Sequence, residues 1–306
     1  MKKLGISIVA LLLSGVSALA ADLPSRKAPA VLPPPPPPPP MWTGFYVGLN
    51  AGGTWSNNAS IQTVGVPTYA TEFWGPGDHS VALAAVSTGY LSGSGNGGFI
   101  GGGQIGYNYQ FWNNFVVGVE ADIQGIAGSS GSRSFVSAAP VGNWEDGESY
   151  TAYGVARGSL DYIGTVRGRL GWLLTPSLLV YGTGGFAYGG VSLNTAFQAQ
   201  STLGPDFYSP VFGGVNYSNT LTGWTAGGGL EWMFWPNWSA KVEYLYYDLG
   251  TVKQNSTLFQ YSPFQDNELW GAAWTQTTAR INGNIVRAGV NYHFNWGAPA
   301  PVVAKY

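Results

Sequence analysis

Eight segments of two-residue alternation, joined by connections that are short and long in strict turn, constrain this chain more than any other feature. The segments are residues 43–54, 98–111, 115–125, 160–173, 178–190, 221–234, 238–248 and 284–294. Each is about as long as a tilted strand must be to cross a bilayer's hydrocarbon. Three connections are tight: residues 112–114, 174–177 around Pro176, and 235–237 around Pro236. Four are long: residues 55–97, 126–159, 191–220 and 249–283. A soluble barrel has no need for such alternation. A bacterial outer-membrane barrel does, with short periplasmic turns, extended external loops and both termini in the periplasm. The pattern predicts an all-β, eight-stranded antiparallel up-and-down transmembrane barrel over residues 42–294.

Composition enters where solubility is asked about. Charged residues make up 9% of the chain, against ~25% in an ordinary soluble domain. Aromatics reach 15%, and 46 of 306 residues are glycine. A surface facing lipid does without charge. There are no cysteines, which excludes a disulfide framework, a lipoprotein anchor and a thiolate metal site.

The ends of the chain read as an address and a spacer. Lys2 and Lys3 precede an apolar run, and Ala18-Leu19-Ala20 is a small-x-small cleavage site, so residues 1–20 are expected to be a cleaved signal peptide. Without Lys2 and Lys3, 11 of the 13 basic side chains remain against 15 acidic ones, a net charge of −4. Nucleic acid is therefore not an expected partner. Residues 33–40 are eight consecutive prolines. They adopt polyproline II and extend ~25 Å at ~3.1 Å per residue, making residues 21–41 a semi-rigid periplasmic spacer.

Assigning faces by parity sorts the charges to one side. Residues 115–125 turn Val117, Val119, Ala121 and Ile123 outward, and Glu120, Asp122 and Gln124 inward. The same rule turns Arg167, Arg169, Glu231, Lys241, Glu243, Arg287, Asn291 and His293 inward, while Val166, Leu170, Leu230, Val242, Val286 and Val290 face lipid. Four acids thus meet four bases inside a barrel only wide enough to be filled by side chains. Desolvated charges must pair, so the interior is expected to be salt-bridged and plugged, or at most a narrow wet path. At the tight-turn end, Trp42, Phe111, Trp112, Trp172, Trp235, Trp238 and Phe294 are expected to form an interfacial aromatic girdle. Tyr188, Trp224, Tyr244 and Tyr246 supply its counterpart at the other end.

Other chemistries find little support. Gly101, Gly103 and Gly106 match a dinucleotide fingerprint in spacing, but inside a strand with no helix following. The only histidines are His79 and His293. A lone loop histidine builds neither a catalytic constellation nor a metal site, so neither catalysis nor a cofactor is expected.

The strands also resemble a known family. Trp42-Thr43-Gly44-Phe45-Tyr46-Val47-Gly48, Gly118-Val119-Glu120-Ala121-Asp122, Gly164-Thr165-Val166-Arg167-Gly168-Arg169-Leu170-Gly171 and Lys241-Val242-Glu243-Tyr244-Leu245-Tyr246-Tyr247-Asp248 carry the likeness. It is to the alphaproteobacterial outer-membrane immunogenic proteins, often labelled porin family, and it runs through all eight strands. The resemblance implies a fold similar to the OmpA transmembrane barrel, a surface-exposed protein that supports envelope integrity, and contacts with outer-membrane lipids, lipopolysaccharide and the outer-membrane assembly machinery. The porin label leaves a narrow pore for small solutes as the alternative. Family members end at the aromatic closing the last strand, here Phe294, whereas this chain adds a tail, residues 295–306, expected in the periplasm. Some members are joined to peptidoglycan through a mature N-terminus beginning Ala-Asp. Ala21-Asp22 here is similar, making Ala21 the attachment point that the resemblance implies.

Overall fold

The structure is a computed structural model that describes residues 42–57, 60–70, 78–91, 97–112, 114–141, 147–202, 210–261 and 269–294. The signal peptide, Ala21, the proline spacer and the tail at residues 295–306 lie outside the described residues.

Among the described residues, eleven strands and one helix follow in order: β1 Gly44–Ser56, β2 Ile61–Ala70, α1 Asp78–Ser87, β3 Gly89–Leu91, β4 Gly97–Phe111, β5 Phe115–Ala127, β6 Gly131–Pro140, β7 Ser149–Thr175, β8 Leu178–Ser201, β9 Val211–Trp235, β10 Trp238–Tyr261 and β11 Leu269–Phe294. Eight of them close a ring in the order β1-β4-β5-β7-β8-β9-β10-β11, and β11 returns to pair with β1. Every pairing in the ring is antiparallel.

The tight turns lie at one end. Pro236 and Asn237 link β9 to β10, with Asn237 in the left-handed region at φ 71°, a conformation that asparagine tolerates better than most residues. The Asn237 side-chain amide donates to the backbone carbonyl of His293 at 2.6 Å, tying that turn to the last strand.

At the opposite end the long connections do not remain loops. Strands β7 to β11 run far past the short β1, β4 and β5, and β2, β3 and β6 add to them, so that much of the sequence expected to be loop is ladder. This lobe has two sheets, one from β6 and the upper parts of β7, β8 and β9, the other from the upper parts of β10 and β11 with β2 and β3. The pairing of β9 with β10 stops at Trp224 and Asp248. Helix α1 packs on β2, β11, β6 and β7. Its Leu83 and Val86 join Tyr150, Val211 and Leu258 in an apolar core.

The long strands change character part-way. In β7, Tyr150, Ala152 and Ala156 point in; after a register slip between Leu160 and Tyr162, the odd residues Thr165, Arg167 and Arg169 do. In β10 a slip between Asp248 and Thr251, with Gly250 at φ 84°, does the same. A bulge adds one unpaired residue and so moves the following side chains to the other face.

Candidate functional site

The barrel interior is built in layers. Nearest the tight turns is an apolar layer of Trp42, Val116, Leu173, Leu179, Tyr181 and Met233. Trp42 is only 1% exposed, and its indole Nε1–H donates to the Pro176 carbonyl at 2.9 Å. This corrects its assignment to the girdle. Trp42 precedes the first strand, so the chain crosses the barrel mouth there and the ring seats inside, edge-on to His293. The other members of that row take outward or rim positions. Trp112 and Trp235 are well exposed, Trp172 and Trp238 alternate outward, and Phe111 and Phe294 are half-buried.

Next comes the charge belt. Arg167 sits at its centre, and its guanidinium donates to three carboxylates: Glu120 at 2.5 Å, Asp122 at 2.9 Å and Glu243 at 2.9 Å. Arg287 reaches Asp122 at 2.9 Å and Glu243 at 2.8 Å from the far side of the ring. Lys241 donates to both Glu120 oxygens at 2.9 Å. Arg169 and Glu231 make a neighbouring pair at 2.6 Å, which Ser239 and Asn291 complete by donating to the second Glu231 oxygen at 2.6 and 2.7 Å. All eight charged side chains are buried, contributed by β5, β7, β9, β10 and β11, and their formal charges cancel. Multiple hydrogen bonds per carboxylate are what make such burial tolerable in a low-dielectric interior.

Sequence parity alone did not select several participants. Tyr46 donates to Glu120 at 2.7 Å and accepts from Arg169 at 3.1 Å. Tyr181 donates to Glu243 at 3.1 Å, and Arg169 lies 4.1 Å over its ring, a cation–π distance. Gln104 donates to Asn291 and accepts from Asn50 at 3.0 Å. Even residues of β1 point inward together, a signal available in the sequence. Gly52 and Gly185 give the belt its room: a Cβ at either would run into the backbone of Arg287 or Arg167 on the next strand.

Beyond the belt lies a second apolar layer, with Ile100, Leu160, Ile163, Leu245, Tyr247 and Ile285 at its heart. Charge is thus bracketed by apolar side chains on both sides. His293 stays with the belt, 2.9 Å from Ser239. His79 is elsewhere, on α1, against the Tyr150 hydroxyl at 3.1 Å.

The outside of the same ring is apolar where the inside is charged: Val119, Ile123, Val166, Leu170, Leu230, Val242 and Val290 are all exposed. The sequence model of the outer membrane protein β-barrel domain matches residues 8–294. The chain belongs to that family. Among its relatives, the 31 kDa outer-membrane immunogenic protein of Brucella melitensis is 34% identical over 281 residues, covering 91% of this chain and 94% of the relative. The 25 kDa outer-membrane immunogenic protein of Brucella canis is 26% identical over 294 residues, covering 96% and 99%. Among solved structures, the outer membrane protein OprG of Pseudomonas aeruginosa aligns with 82% of this chain and 97% of its own, at 10% identity and a TM-score of 0.34. Membership of the outer membrane β-barrel family puts the protein in the outer membrane and its exposed valine and leucine belt in lipid.

Proposed function

We propose that this protein is a sealed structural barrel of the outer membrane, supporting the envelope and displaying its lobe to the outside. The observation that carries the reading is the bracketing of a neutral, fully paired charge belt between two apolar layers. An ion crossing would have to shed its water twice and break a multiply bonded cluster between.

Orientation follows from the same chemistry. The tight turns sit in the periplasm with both termini, and the lobe, whose outer face is rich in Ser, Thr, Asn and Gln, stands in the medium. The relatives' immunogenic names agree with surface display. Lipopolysaccharide then surrounds the base of the lobe, insertion is the work of the outer-membrane assembly machinery, and Ala21 is the point at which the proline spacer joins peptidoglycan. The reading assigns the protein no catalysis.

The direct test is single-channel recording in a planar bilayer, wild type beside Arg167→Ala and Glu120→Ala. No conductance steps from wild type supports the sealed barrel. Steady steps from wild type would put a narrow porin in its place. For the tether, digested sacculi should release a muropeptide on a peptide that begins at Ala21, and its absence would remove that part alone.

A further inference from the structure

The lobe sheet made of β6 and the upper parts of β7, β8 and β9 turns one face to the apolar core under α1 and the other outward. The ladder pairings set its outward residues in rows across the strands. One row runs Val136, Tyr153, Gln198, Phe212 from β6 to β9. All four are exposed, Tyr153 at 52% and Phe212 at 69%. Two rings and a valine in one line form a patch rather than a scatter of single apolar residues.

The neighbouring rows suit something laid along this one. Below it, Val155, Ala196 and Gly214 keep the surface low. Above it stand Thr151 and Gln200. None of Thr151, Tyr153, Gln198 and Gln200 spends its side chain on a hydrogen bond among the described residues. Farther down the same face the polar groups are bonded to one another: Ser159 and Ser192 donate to Asp161, and Tyr162 meets Thr220. Among the described residues the three rows hold no charge, and the nearest on this face is Arg157, ~13 Å below Tyr153 at ~3.4 Å per residue.

Tyr153 and Phe212 are separated by one intervening strand, which puts them ~9.6 Å apart at ~4.8 Å per strand. That spacing selects a ligand. In a β-1,4-linked chain of pyranose sugars each unit is flipped relative to the last, so the same C–H face returns every second unit, at close to this distance. Those faces stack on aromatic rings, and the Gln198 amide, both donor and acceptor, meets the hydroxyls between. An α-1,4-linked chain curls and loses the register. We infer that this row is a platform for an uncharged β-1,4-linked glycan, laid across the strands with alternate sugars on Tyr153 and Phe212.

Tyr153 stands ~24 Å along its strand from the slip at Leu160, at ~3.4 Å per residue, so the platform clears the lipid headgroups and takes a polysaccharide free in the medium. The inference rests on the outward display of the lobe proposed above. Protease access to the lobe on intact cells tests that display. A nanodisc, open on both sides, tests the platform by itself.

The experiment is titration of the full chain in lipid nanodiscs with cellohexaose and with maltohexaose, its α-1,4-linked isomer, followed by calorimetry and saturation-transfer NMR. Cellohexaose is expected to bind, maltohexaose about tenfold more weakly, and added salt should change neither. Tyr153→Ala and Phe212→Ala, both at exposed positions, should each weaken cellohexaose about tenfold, the size of one lost aromatic stack. Phe259→Ala, exposed on the lobe's other sheet, should change nothing. Cellohexaose binding that survives the folded double variant Tyr153→Ala/Phe212→Ala would overturn the platform. So would equal binding of maltohexaose, or folded wild-type protein that takes up neither sugar. If that sugar-blind wild type also formed a dimer that the double variant splits, the face would belong to a second copy instead.

Discussion

The lower and upper halves of strands β7 and β10 are one continuous backbone serving two solvents. Below the slips at Leu160 and Asp248, the inner face carries Arg167, Arg169, Lys241 and Glu243, and the outer face carries Val166, Leu170 and Val242. Above them, Tyr150, Ala152, Val252 and Leu258 point in, while Thr151, Arg157, Lys253 and Thr257 point out. The membrane half is inside-out relative to the lobe. The difference shows that alternation fixes which residues share a face, but the surroundings decide which face is apolar.

The largest effect is expected where the comparison is sharpest. Arg167→Ala removes the cation at the centre of the belt, leaving Glu120, Asp122 and Glu243 to Arg287 and Lys241 with one buried negative charge in excess, and should cost about 3–5 kcal/mol. A urea titration in lipid vesicles, read by the heat-dependent shift of the folded band on a gel, checks it. In the lobe the corresponding injury is an apolar deletion. Leu83→Ala removes the centre of the α1 contact and should cost about 2–5 kcal/mol. That loss should be confined to the lobe, with proteolysis clipping α1 while the barrel band persists.

A matched pair of surface charges tests the outer faces directly. Val242→Arg places a cation in lipid and should cost about 2–4 kcal/mol. Thr278→Arg, half-buried on the outward side of the lobe's β11, should stay within about 0.5 kcal/mol. Equal costs for the two would mean that the boundary has been drawn at the wrong height.

The smallest effect concerns pH. Burial raises the Glu148 carboxyl above the ordinary carboxylate range, opposed by a hydrogen bond from Ser201 at 2.6 Å. A folded pKa above the unfolded one means that the folded lobe holds the proton more tightly. Its contribution is therefore complete below the unfolded pKa and is lost as pH rises through the raised value. Hydrogen exchange in residues 147–152 should quicken modestly over that window, and Glu148→Gln should make the rate ratio to a barrel reference independent of pH.

The ring was legible in the sequence because its two faces differ so strongly in chemistry. Glu120, Asp122, Arg167, Arg169, Glu231, Lys241, Glu243 and Arg287 stand on one parity against valines and leucines on the other. The upper halves were not, for a physical reason. The segment at residues 191–201, for one, sets Val191, Leu193, Phe197 and Ala199 against Ser192, Asn194, Gln198 and Gln200. A rule that expects apolar residues outside reads such a stretch as loop, and the bulges break the count between the halves. Trp42 was missed for another reason. An aromatic beside a strand end has the same signature whether it sits on the rim or folds into the mouth, and only the path of the chain distinguishes them. Tyr46 and Tyr181 belonged to strands whose inner faces carry no formal charge, so parity could turn Tyr46 inward without marking either tyrosine as a partner of the belt.

The closure of the ring has a kinetic meaning. Its seam joins β1 to β11, with Phe45 opposite Phe294, so the first strand to leave the ribosome finds its second partner only in the last. Such a contact spans nearly the whole chain, and its loop entropy must be met before any reward is collected. Until then both terminal strands expose an unpaired backbone edge, the feature that invites aggregation. A chain with this topology must travel unfolded, under the protection of something that covers those edges, and it becomes a finished object in a single late step.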